Sequence, residues 1–340
     1  MIKAVTRYGT PHMNHSHLTL TIIVVNYNGL RFLEECIKSL EQFVSCEHEV
    51  IIVDNASSDG SADYIATHFP NVQLIRSETN LGFAGGNNIG ARAARGELLL
   101  LLNNDTKLLS SIEDAVSAFN LPEMGVAGAH LFYEKGTNQP SVGYEHTPLR
   151  ILLSWLGASY CATLPSVFRR TEHRPSYYDI CHDHVAWVSG AFLMTRHSLW
   201  NLIGGLDEKY FMYMEDVDYC KQVRDKGFTV AYIPTVSVIH YEGGGKTWIG
   251  QSALTRTIQS YRIYLEKHYG QISSLVTGML LSPIMAIRVP YYYFRFRFRG
   301  SIIDLEKSIG YAAAASLASS DAWAIGLARM KMWAFGLEKK

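Results

Sequence analysis

The sequence lacks several features that would place it in a common class of proteins. Its five cysteines nowhere form a C-x-x-C pair, and their odd number favours a reducing compartment. Its 31 basic and 31 acidic residues leave no net charge, so the total gives no sign of a nucleic-acid partner. Residues 1–18 have no continuous apolar segment of the kind that a secretory signal needs, and we interpret them as a loose tail.

What is present is the composition of a folded α/β protein. The 340 residues are 48% hydrophobic and 18% charged, which argues against disorder and predicts one large domain with an appendage. Apolar, β-branched or leucine-rich runs predict parallel strands at residues 19–25, 49–53, 72–75 and 98–102, with helical stretches between them. Residues 122–184 show little periodicity, and their structure is left open.

Polar clusters follow three of the predicted strands. They are Asn26–Asn28, Asp54–Asp59 and Asn103–Asp105. Ligands of open α/β sheets bind outside the carboxyl ends of the strands, so we expect these clusters to converge on one crevice. Asp54 could accept the imide N–H of uracil or thymine, although turn and helix-capping chemistry would look the same.

Oxygen-bearing side chains near Asp105 predict a site for Mg²⁺ or Mn²⁺. Both ions take few protein ligands and let substrate phosphates complete the shell. His240 ends a predicted strand and could be a further ligand, while the glycines after it could hinge a closing loop that brings Lys246 to a phosphate. A strand-ending turn and a structural histidine are the alternatives.

Two other segments suggest a ligand site. Residues 80–90 contain four glycines, which we expect to precede a helix and to allow close approach of a ligand, with helix capping as the alternative. Glu215 and Asp216 lie in an aromatic and apolar setting that would perturb their pKa values, so both are general-base candidates. Acids at a helix N-terminus would give the same pattern.

Together the segments TIIVVNYNG, VDNASSDGS, NLGFAGGNN, LLLLNNDT, SGAFLMTR and GGLDEKYFMYMEDVD resemble the inverting family-2 glycosyltransferases of GT-A fold, most closely the rhamnosyltransferase-like branch. The resemblance covers about residues 19–270. It implies a mixed, mostly parallel sheet flanked by helices, with a C-terminal helical appendage. Asn103 departs from the family pattern, in which Asp is frequent at that position.

The resemblance also implies roles for individual residues. Asp216 would be the catalytic base; Asp105, His240 and Asn103 would hold the metal; and Glu215, Trp187 and Gly190 would line the acceptor side. Gly244 and Lys246 would belong to a lid over the diphosphate. The nucleotide would contact Asn26, Tyr27, Asn28, Asp54, Asn55, Ser57, Asn80, Gly82, Gly86, Asn87 and Asn104.

The implied reaction moves a sugar from a nucleotide diphosphate, first dTDP-rhamnose and then UDP-sugars, to a glycan or polyprenyl-diphosphate-linked glycan. Two rivals remain. A sugar-1-phosphate nucleotidyltransferase should have a Gly-rich, Arg-containing loop after the first strand, where this chain has Asn-Tyr-Asn-Gly. A non-catalytic carbohydrate-binding or scaffold relative would bind no sugar nucleotide, with or without Mn²⁺. Homo-oligomerisation is left open.

The charges are divided unevenly along the chain. We expect a catalytic domain at residues 19–245 and a helical region at 246–340. From Arg256 onward there are 12 basic and 5 acidic residues, so the preceding part carries the opposite excess. Aromatic and Arg residues alternate at 291–299, and residues 268–287 are marginal for a spanning helix. We therefore expect peripheral attachment to an anionic membrane at its cytoplasmic face, with packing on the catalytic domain as the alternative.

Overall fold

The computed structural model describes residues 19–161, 163–241 and 251–334, with side chains described as far as residue 319. These residues form two compact units. The first contains residues 19–145 and 170–241, and the second contains the segment from 146 to 169 together with the C-terminal helices. Each unit is described by itself.

Four parallel strands form one half of the sheet in the first unit. They are β1 (Leu20–Asn26), β2 (His48–Asp54), β3 (Gln73–Arg76) and β4 (Leu98–Asn103). β1 lies between β2 and β4, and Asn26 is in register with Asp54. The five leucines of β4 are at most 5% exposed, and burying each contributes about 1.5–3 kcal/mol. The four predicted strands are confirmed, each end within one residue.

The other strands extend the sheet and add a small second one. They are β5 (Thr106–Leu108), β6 (Met124–Phe132), β7 (Asn138–Gln139), β8 (Val142–Gly143), β9 (Trp187–Val188), β10 (Phe192–Arg196) and β11 (Thr229–His240). In the described part of the chain the strand order is β3-β2-β1-β4-β10-β6-β11-β5, with β7 beside β6 and with β8 and β9 paired separately. β10 is antiparallel to both its neighbours, so the sheet is mixed.

The helices of the first unit cover this sheet. The helices of the described chain are α1 (Leu30–Phe43), α2 (Ser61–His68), α3 (Gly82–Ala93), α4 (Glu113–Ala118), α5 (Pro148–Trp155), α6 (His197–Ile203), α7 (Glu215–Asp225), α8 (Gln251–Ala286), α9 (Arg288–Arg299) and α10 (Ile302–Ala334). Leu33, Ile37 and Leu40 of α1 are at most 2% exposed, which agrees with their predicted helical spacing.

Strand β11 contains the interruption that its proline predicts. Its pairing with β6 shifts register between Ile233 and Ser237, on either side of Pro234. Proline has no N–H to give to a strand ladder, so the irregularity falls there. The strand nevertheless resumes and ends at His240, at the same edge of the sheet as β5.

The second unit consists of α5 and the three C-terminal helices, and the helical region predicted at the C-terminus is confirmed. α8 is bent at Gly270, whose φ of 82° and ψ of 162° are not helical. Beyond the bend α8 packs closely on α10. A Cβ added to Gly278 would lie 2.7 Å from the carbonyl oxygen of Ala318, and Ser282 Oγ donates to the carbonyl of Ala315 at 2.9 Å.

Residues 146–169 pack differently from the sequence-based division, which placed them in the catalytic domain. They belong to the second unit, where the guanidinium of Arg288 donates to the carbonyl of Trp155 and lies 6.0 Å from its ring centroid. The cation and the indole account for the association. The boundary predicted after residue 245 falls outside the described residues and stays a prediction.

One segment of the described chain, Ala253–Arg299, is helical, long and apolar enough to cross a membrane by length and composition alone.

Candidate active site

A hydrogen-bonded cluster joins the ends of β1, β2 and β4. Asn26, which is fully buried, lies at its centre. Its Nδ2 donates to Asp54 Oδ1 at 2.9 Å and to Ser57 Oγ at 3.1 Å, while its Oδ1 accepts from Asn104 Nδ2 at 2.8 Å. Asp54 Oδ2 in turn accepts from the backbone N–H of Ser57 at 3.0 Å. The structure therefore brings together the three predicted polar clusters, and nucleotide contact stays a prediction.

The loop after β1 is tied to the same cluster. The backbone N–H of Asn28 donates to Ser57 Oγ at 2.9 Å, and Asn28 Oδ1 accepts from the N–H of Ser58 at 2.8 Å. Asn28 has a φ of 53°, a left-handed conformation that Asn tolerates better than most residues. Tyr27, at the tip of this loop, is 37% exposed, so its ring is available for a ligand.

The start of α3 docks on two other loops. Asn80 Oδ1 accepts from the N–H of Gly82 at 2.9 Å, and Asn55 Nδ2 donates to the carbonyl of Gly82 at 2.9 Å. Gly82 has a φ of 72°, and a Cβ there would lie 2.1 Å from the carbonyl oxygen of Phe211. This position therefore requires glycine because it adjoins the backbone of another loop.

The four glycines lie inside α3. The expectation that they precede the helix is therefore wrong. A Cβ on Gly86 would lie 2.7 Å from Val25 of β1, and one on Gly90 would lie 2.4 Å from Ile23. The glycines allow the helix to pack directly on the strand. Asn87 is 1% exposed and its Nδ2 donates to the carbonyl of Phe83 at 2.9 Å. Packing accounts for Gly86 and Gly90, whereas Asn87 Oδ1 has no hydrogen-bond partner among the described residues, and the nucleotide contacts predicted for Gly86 and Asn87 stay predictions.

The three predicted metal ligands lie together. His240 Nε2 is 3.3 Å from Asp105 Oδ1 and 3.1 Å from Asn103 Nδ2. On its other side His240 Nδ1 is 3.0 Å from Gln139 Oε1. If Nδ1 carries the proton and donates to that amide oxygen, Nε2 accepts from Asn103 Nδ2 and lies beside Asp105. This is how a second residue orients a ligating histidine.

This donor set fits a divalent cation whose shell is completed by a substrate. Asp105 is 6% exposed and supplies carboxylate oxygen, and His240 supplies an imidazole nitrogen. In the described chain no group of three or more His, Cys, Asp and Glu residues forms a metal cage. The residues present would therefore hold Mg²⁺ or Mn²⁺ only together with oxygens from a bound diphosphate.

Asp216 is held at the beginning of α7. Its Oδ2 accepts from the N–H of Gly190 at 2.9 Å, and its Oδ1 accepts from the N–H of Val217 at 2.8 Å. The residue as a whole is partly buried, and burial of its carboxyl raises its pKa. It is fixed in direction, as a general base must be.

Glu215, beside it, is in a drier environment. The residue is 5% exposed, and its Oε2 has no hydrogen-bond partner among the described residues. Burial and the neighbouring charge of Asp216 raise the pKa of Glu215 to about 8. Glu215 therefore favours the neutral form, which leaves the negative charge of the pair to Asp216.

The two residues that precede this pair have strained backbone. Tyr213 has a φ of 74° and Met214 a φ of 73°, and neither is glycine. Left-handed conformations of such residues cost of order 1–3 kcal/mol each and concentrate at functional sites. The turn directs Glu215 and Asp216 into the interior, and the contact of Phe211 with Gly82 supports it.

Backbone contacts connect the base with the metal ligands. The N–H of Asn103 donates to the carbonyl of Ala191 at 3.2 Å, and the adjacent Gly190 donates to Asp216. A Cβ on Gly190 would lie 3.1 Å from the ring of Phe83. The base, the end of β4 and the start of α3 therefore border one crevice, as the strand-end rule predicts.

The other predicted positions are less central. Trp187 is 9% exposed and lies in β9 beside Gly143, where a Cβ would come 2.8 Å from the indole nitrogen. It is a buried core residue, and the acceptor-side role predicted for it stays a prediction. Gly244 and Lys246 lie outside the described residues.

Sequence reasoning missed three residues of the site. Gln139, which orients His240, lies in a turn-rich segment with no distinctive pattern. Phe83 packs on Gly190 from within the glycine-rich motif, where an aromatic residue among glycines is a usable signal. Ser61 Oγ accepts from Asn26 Nδ2 at 2.8 Å, and its place directly after Asp59-Gly60 could have indicated it.

Comparison with known proteins explains this arrangement. The model of the family described as "Glycosyl transferase family 2" matches residues 21–192, just over half of the chain. The chain belongs to glycosyl transferase family 2. The matched range includes Asp54 and Asn103–Asp105, whereas Asp216 and His240 follow it.

Two relatives of this family 2 member align with it over most of their own length. It is 27% identical over 269 residues to N-acetylglucosaminyl-diphospho-decaprenol L-rhamnosyltransferase of Mycobacterium tuberculosis, covering 74% of this chain and 85% of that protein. It is 24% identical over 230 residues to rhamnosyltransferase WbbL of Escherichia coli, covering 65% and 82%. The predicted likeness to rhamnosyltransferases is confirmed.

Solved structures confirm the GT-A fold. A mannosyltransferase from Pyrobaculum calidifontis in complex with GDP-Man and Mn²⁺ has a TM-score of 0.52 and 16% identity, covering 88% of this chain and 86% of that one. GalNAc-T7 with UDP, GalNAc and Mn²⁺ has a TM-score of 0.53 and 14% identity, covering 76% of this chain and 52% of that one. At this identity the likeness is one of fold.

Proposed function

We propose that this glycosyltransferase is inverting and metal-dependent, and that it transfers L-rhamnose from dTDP-rhamnose to a polyprenyl-diphosphate-linked glycan in the synthesis of a cell-surface polysaccharide. UDP-sugars are the second donor candidates. The observation that carries the proposal is Asp216, whose two oxygens are fixed by the N–H groups of Gly190 and Val217 at the beginning of α7. The rhamnosyltransferase relatives support the choice of sugar and of acceptor class.

The donor would lie across the ends of β1, β2 and β4. Asp54 is oriented by Asn26 and Ser57, so its carboxylate is fixed to accept the imide N–H of a thymine or uracil. Tyr27 is exposed beside this cluster and would contact the base or the ribose. The diphosphate would then extend toward Asp105 and His240.

Asp105 and His240 would hold Mg²⁺ or Mn²⁺ with the help of the diphosphate. The cation would offset the negative charge that develops on the leaving nucleotide diphosphate. Gln139 contributes by keeping the His240 ring in one orientation.

Asp216 would take the proton from the acceptor hydroxyl as that oxygen forms a bond to the anomeric carbon. The bond from this carbon to the leaving diphosphate breaks on the opposite face, so the configuration inverts. Burial raises the pKa of Asp216, which makes its carboxylate a stronger base. Glu215 keeps its own proton and so leaves Asp216 as the ionised partner.

A donor panel tests the proposal. Purified full-length protein is incubated with each nucleotide sugar and with either GlcNAc-diphospho-polyprenol or a soluble glycoside, in Mn²⁺, in Mg²⁺ and in EDTA. We expect rhamnosyl transfer to the lipid-linked acceptor that EDTA abolishes and Mn²⁺ restores, with an inverted linkage seen by NMR. Full activity in EDTA would contradict the metal assignment.

The same assay separates the two rivals. A nucleotidyltransferase would consume sugar-1-phosphate and release pyrophosphate without needing an acceptor. A non-catalytic relative would bind no sugar nucleotide in calorimetry, with or without Mn²⁺, and would yield no transfer with any acceptor. Either result would overturn the proposed activity.

A further inference from the structure

The second unit has an apolar face that no described residue covers. Beyond the bend at Gly270, one side of α8 is buried, with Leu281 and Met285 at most 2% exposed. The opposite side is exposed and apolar. Its members and their exposures are Ile272 (65%), Val276 (50%), Met279 (50%), Leu280 (51%) and, at the end of the helix, Ile287 (74%). These residues recur at helical spacing, so they form one stripe.

Helix α9 continues this stripe with aromatic residues. None of its residues is buried. Tyr291 is 57% exposed, Phe294 is 58% exposed and Phe298 is 86% exposed, and their spacing of three and four residues places them on one side of the helix. Large exposed apolar surfaces of this kind mark a contact with a partner or a membrane. We call the stripe on α8 and the aromatic side of α9 the apolar face.

The charges around the apolar face have a single sign. Residues 267–303 contain no Asp or Glu, whereas they contain one Lys and four Arg. Arg288 contacts Trp155, and Arg295 lies 3.4 Å from Asp304, so these two are partly engaged within the unit. Arg297 and Arg299 are exposed on either side of Phe298. Phe298, the most exposed aromatic side chain among the described residues of this unit, is therefore bracketed by cations.

We propose that the apolar face docks on the surface of an anionic lipid bilayer. In this arrangement α9 lies in the plane of the interface, with Tyr291, Phe294 and Phe298 at the level of the acyl chains and with Arg297 and Arg299 at the lipid phosphates. A helix that is apolar on one side and Arg-rich, with no acid, has the composition of an interfacial helix.

The charges favour a bilayer over a second copy of the chain. A twofold interface brings the same patch of both copies together, so it would set the arginines of one α9 near those of the other. The apolar face has no acidic residue to offset them. An anionic bilayer supplies both an apolar layer and a plane of negative charge. The proposal is independent of the transfer activity, because it concerns binding in the absence of donor and acceptor.

Vesicle flotation with the full-length protein tests the proposal. The vesicles contain either phosphatidylcholine alone or phosphatidylcholine and phosphatidylglycerol in equal parts. We expect the protein to float with the anionic vesicles, to leave them at high salt or on alkaline carbonate extraction, and to bind neutral vesicles far less. Absence of binding to anionic vesicles, or retention after carbonate extraction, would overturn the interfacial placement.

Matched variants identify the surface. Replacing Phe294 and Phe298 by Glu together should weaken vesicle binding by more than about tenfold. Both side chains are exposed, so folding should be unaffected. Leu202→Glu is the control, since Leu202 is 62% exposed on the first unit. This variant should bind vesicles as the wild type does. Equal loss in the control would mean that the effect is not specific to the apolar face.

The arginines are tested separately. Arg297→Gln and Arg299→Gln should each reduce binding to anionic vesicles by about fivefold and should flatten its dependence on salt. Sedimentation of the same proteins without lipid tests the other occupant. In one outcome, the wild type sediments as a dimer and the Phe294→Glu, Phe298→Glu variant as a monomer, with vesicle binding unchanged. That result would assign the apolar face to self-association and overturn the proposal.

Discussion

Asp54 and the Glu215–Asp216 pair are carboxylates in one crevice, but Asp54 and Glu215 differ in the hydrogen-bond donors that surround them. Asp54 is 3% exposed and accepts hydrogen bonds from Asn26 and from the backbone of Ser57. Glu215 is almost equally buried, yet one of its oxygens has no partner among the described residues, and its pKa is raised to about 8. Donors on both oxygens fix the orientation of Asp54 for binding, whereas Glu215, which is short of donors, keeps its proton.

The largest effect should come from removing the base. Asp216→Asn keeps the size of the side chain and can still accept from Gly190, but it cannot take a proton. We expect transfer to fall about a thousandfold, with the dissociation constant of the nucleotide changed by less than about twofold. Initial rates and calorimetry measure the two quantities. Asp225→Asn, at the exposed end of α7, is the control, and an active Asp216→Asn enzyme would remove Asp216 from the mechanism.

The binding carboxylate should fail in a different way. Asp54→Asn gives up a charged acceptor that Asn26 and Ser57 orient, and a hydrogen bond to a charged group contributes about 1.5–3 kcal/mol. We expect nucleotide affinity to fall between about tenfold and a hundredfold, while kcat at saturating donor changes little. Asp63→Asn, on the exposed side of α2, should bind as the wild type. A loss of kcat with unchanged affinity would contradict the distinction between the two carboxylates.

The contact between Gly82 and Phe211, which supports the turn before Glu215, can be weakened by a substitution at Gly82. Gly82→Ala forces a Cβ against the carbonyl of Phe211 and strains a residue with a φ of 72°, so the turn before Glu215 must move. We expect a loss of kcat of about tenfold and of stability of about 2 kcal/mol. Gly136→Ala separates the two causes, because Gly136 has a φ of 75° and open space around it. Equal stability losses and unchanged kcat in both variants would mean that the contact with Phe211 has no part in catalysis.

The smallest expected effect is a pH-dependent change in stability when Glu215 is replaced. The pKa of Glu215 is higher in the folded protein than in the unfolded chain, so the folded state holds a proton that the unfolded chain releases above about pH 4.5. The stability associated with the protonated form is present at low pH and is lost as the pH rises through about 8. Glu215→Gln should therefore raise Tm by several degrees above pH 8 and by less near pH 5.

Calorimetry over this pH range measures the difference. The exposed Glu47→Gln is the control and should follow the wild-type curve. Parallel curves for Glu215→Gln and the wild type would show that Glu215 ionises normally in the folded protein.

The sequence-based prediction was strongest where the strands are buried on both faces. β1 to β4 are short apolar runs that end in polar residues, and the same pattern placed Asn26, Asp54 and Asn104 at one edge of the sheet. β6, between β10 and β11, was not predicted. Gly125 and Gly128 weaken its strand pattern. Gly128 is required there because a Cβ at that position would lie 2.5 Å from Val188. A glycine of this kind is required by close contact with residues that are distant in sequence, so the local sequence does not reveal the reason for it.

The division of the chain shows the same limit. Residues 146–169 carry no periodic pattern, and their place in the second unit depends on contacts such as that between Trp155 and Arg288, 133 residues apart. Gln139 was missed for the same reason, since its importance comes from His240 on another strand. Local propensity contains no information about partners of this kind.

The amino-acid sequence by itself determined the parallel strands, the polar residues at their ends and the acidic pair at the start of α7, because burial on both faces and turn chemistry are local properties of the chain. Tertiary structure decided what each carboxylate can do. Only folding surrounds Asp54 with donors, leaves Glu215 short of them and holds Asp216 on the N–H of Gly190. Hydrogen-bond partners and desolvation determine a pKa, and both come from residues that the sequence keeps far apart.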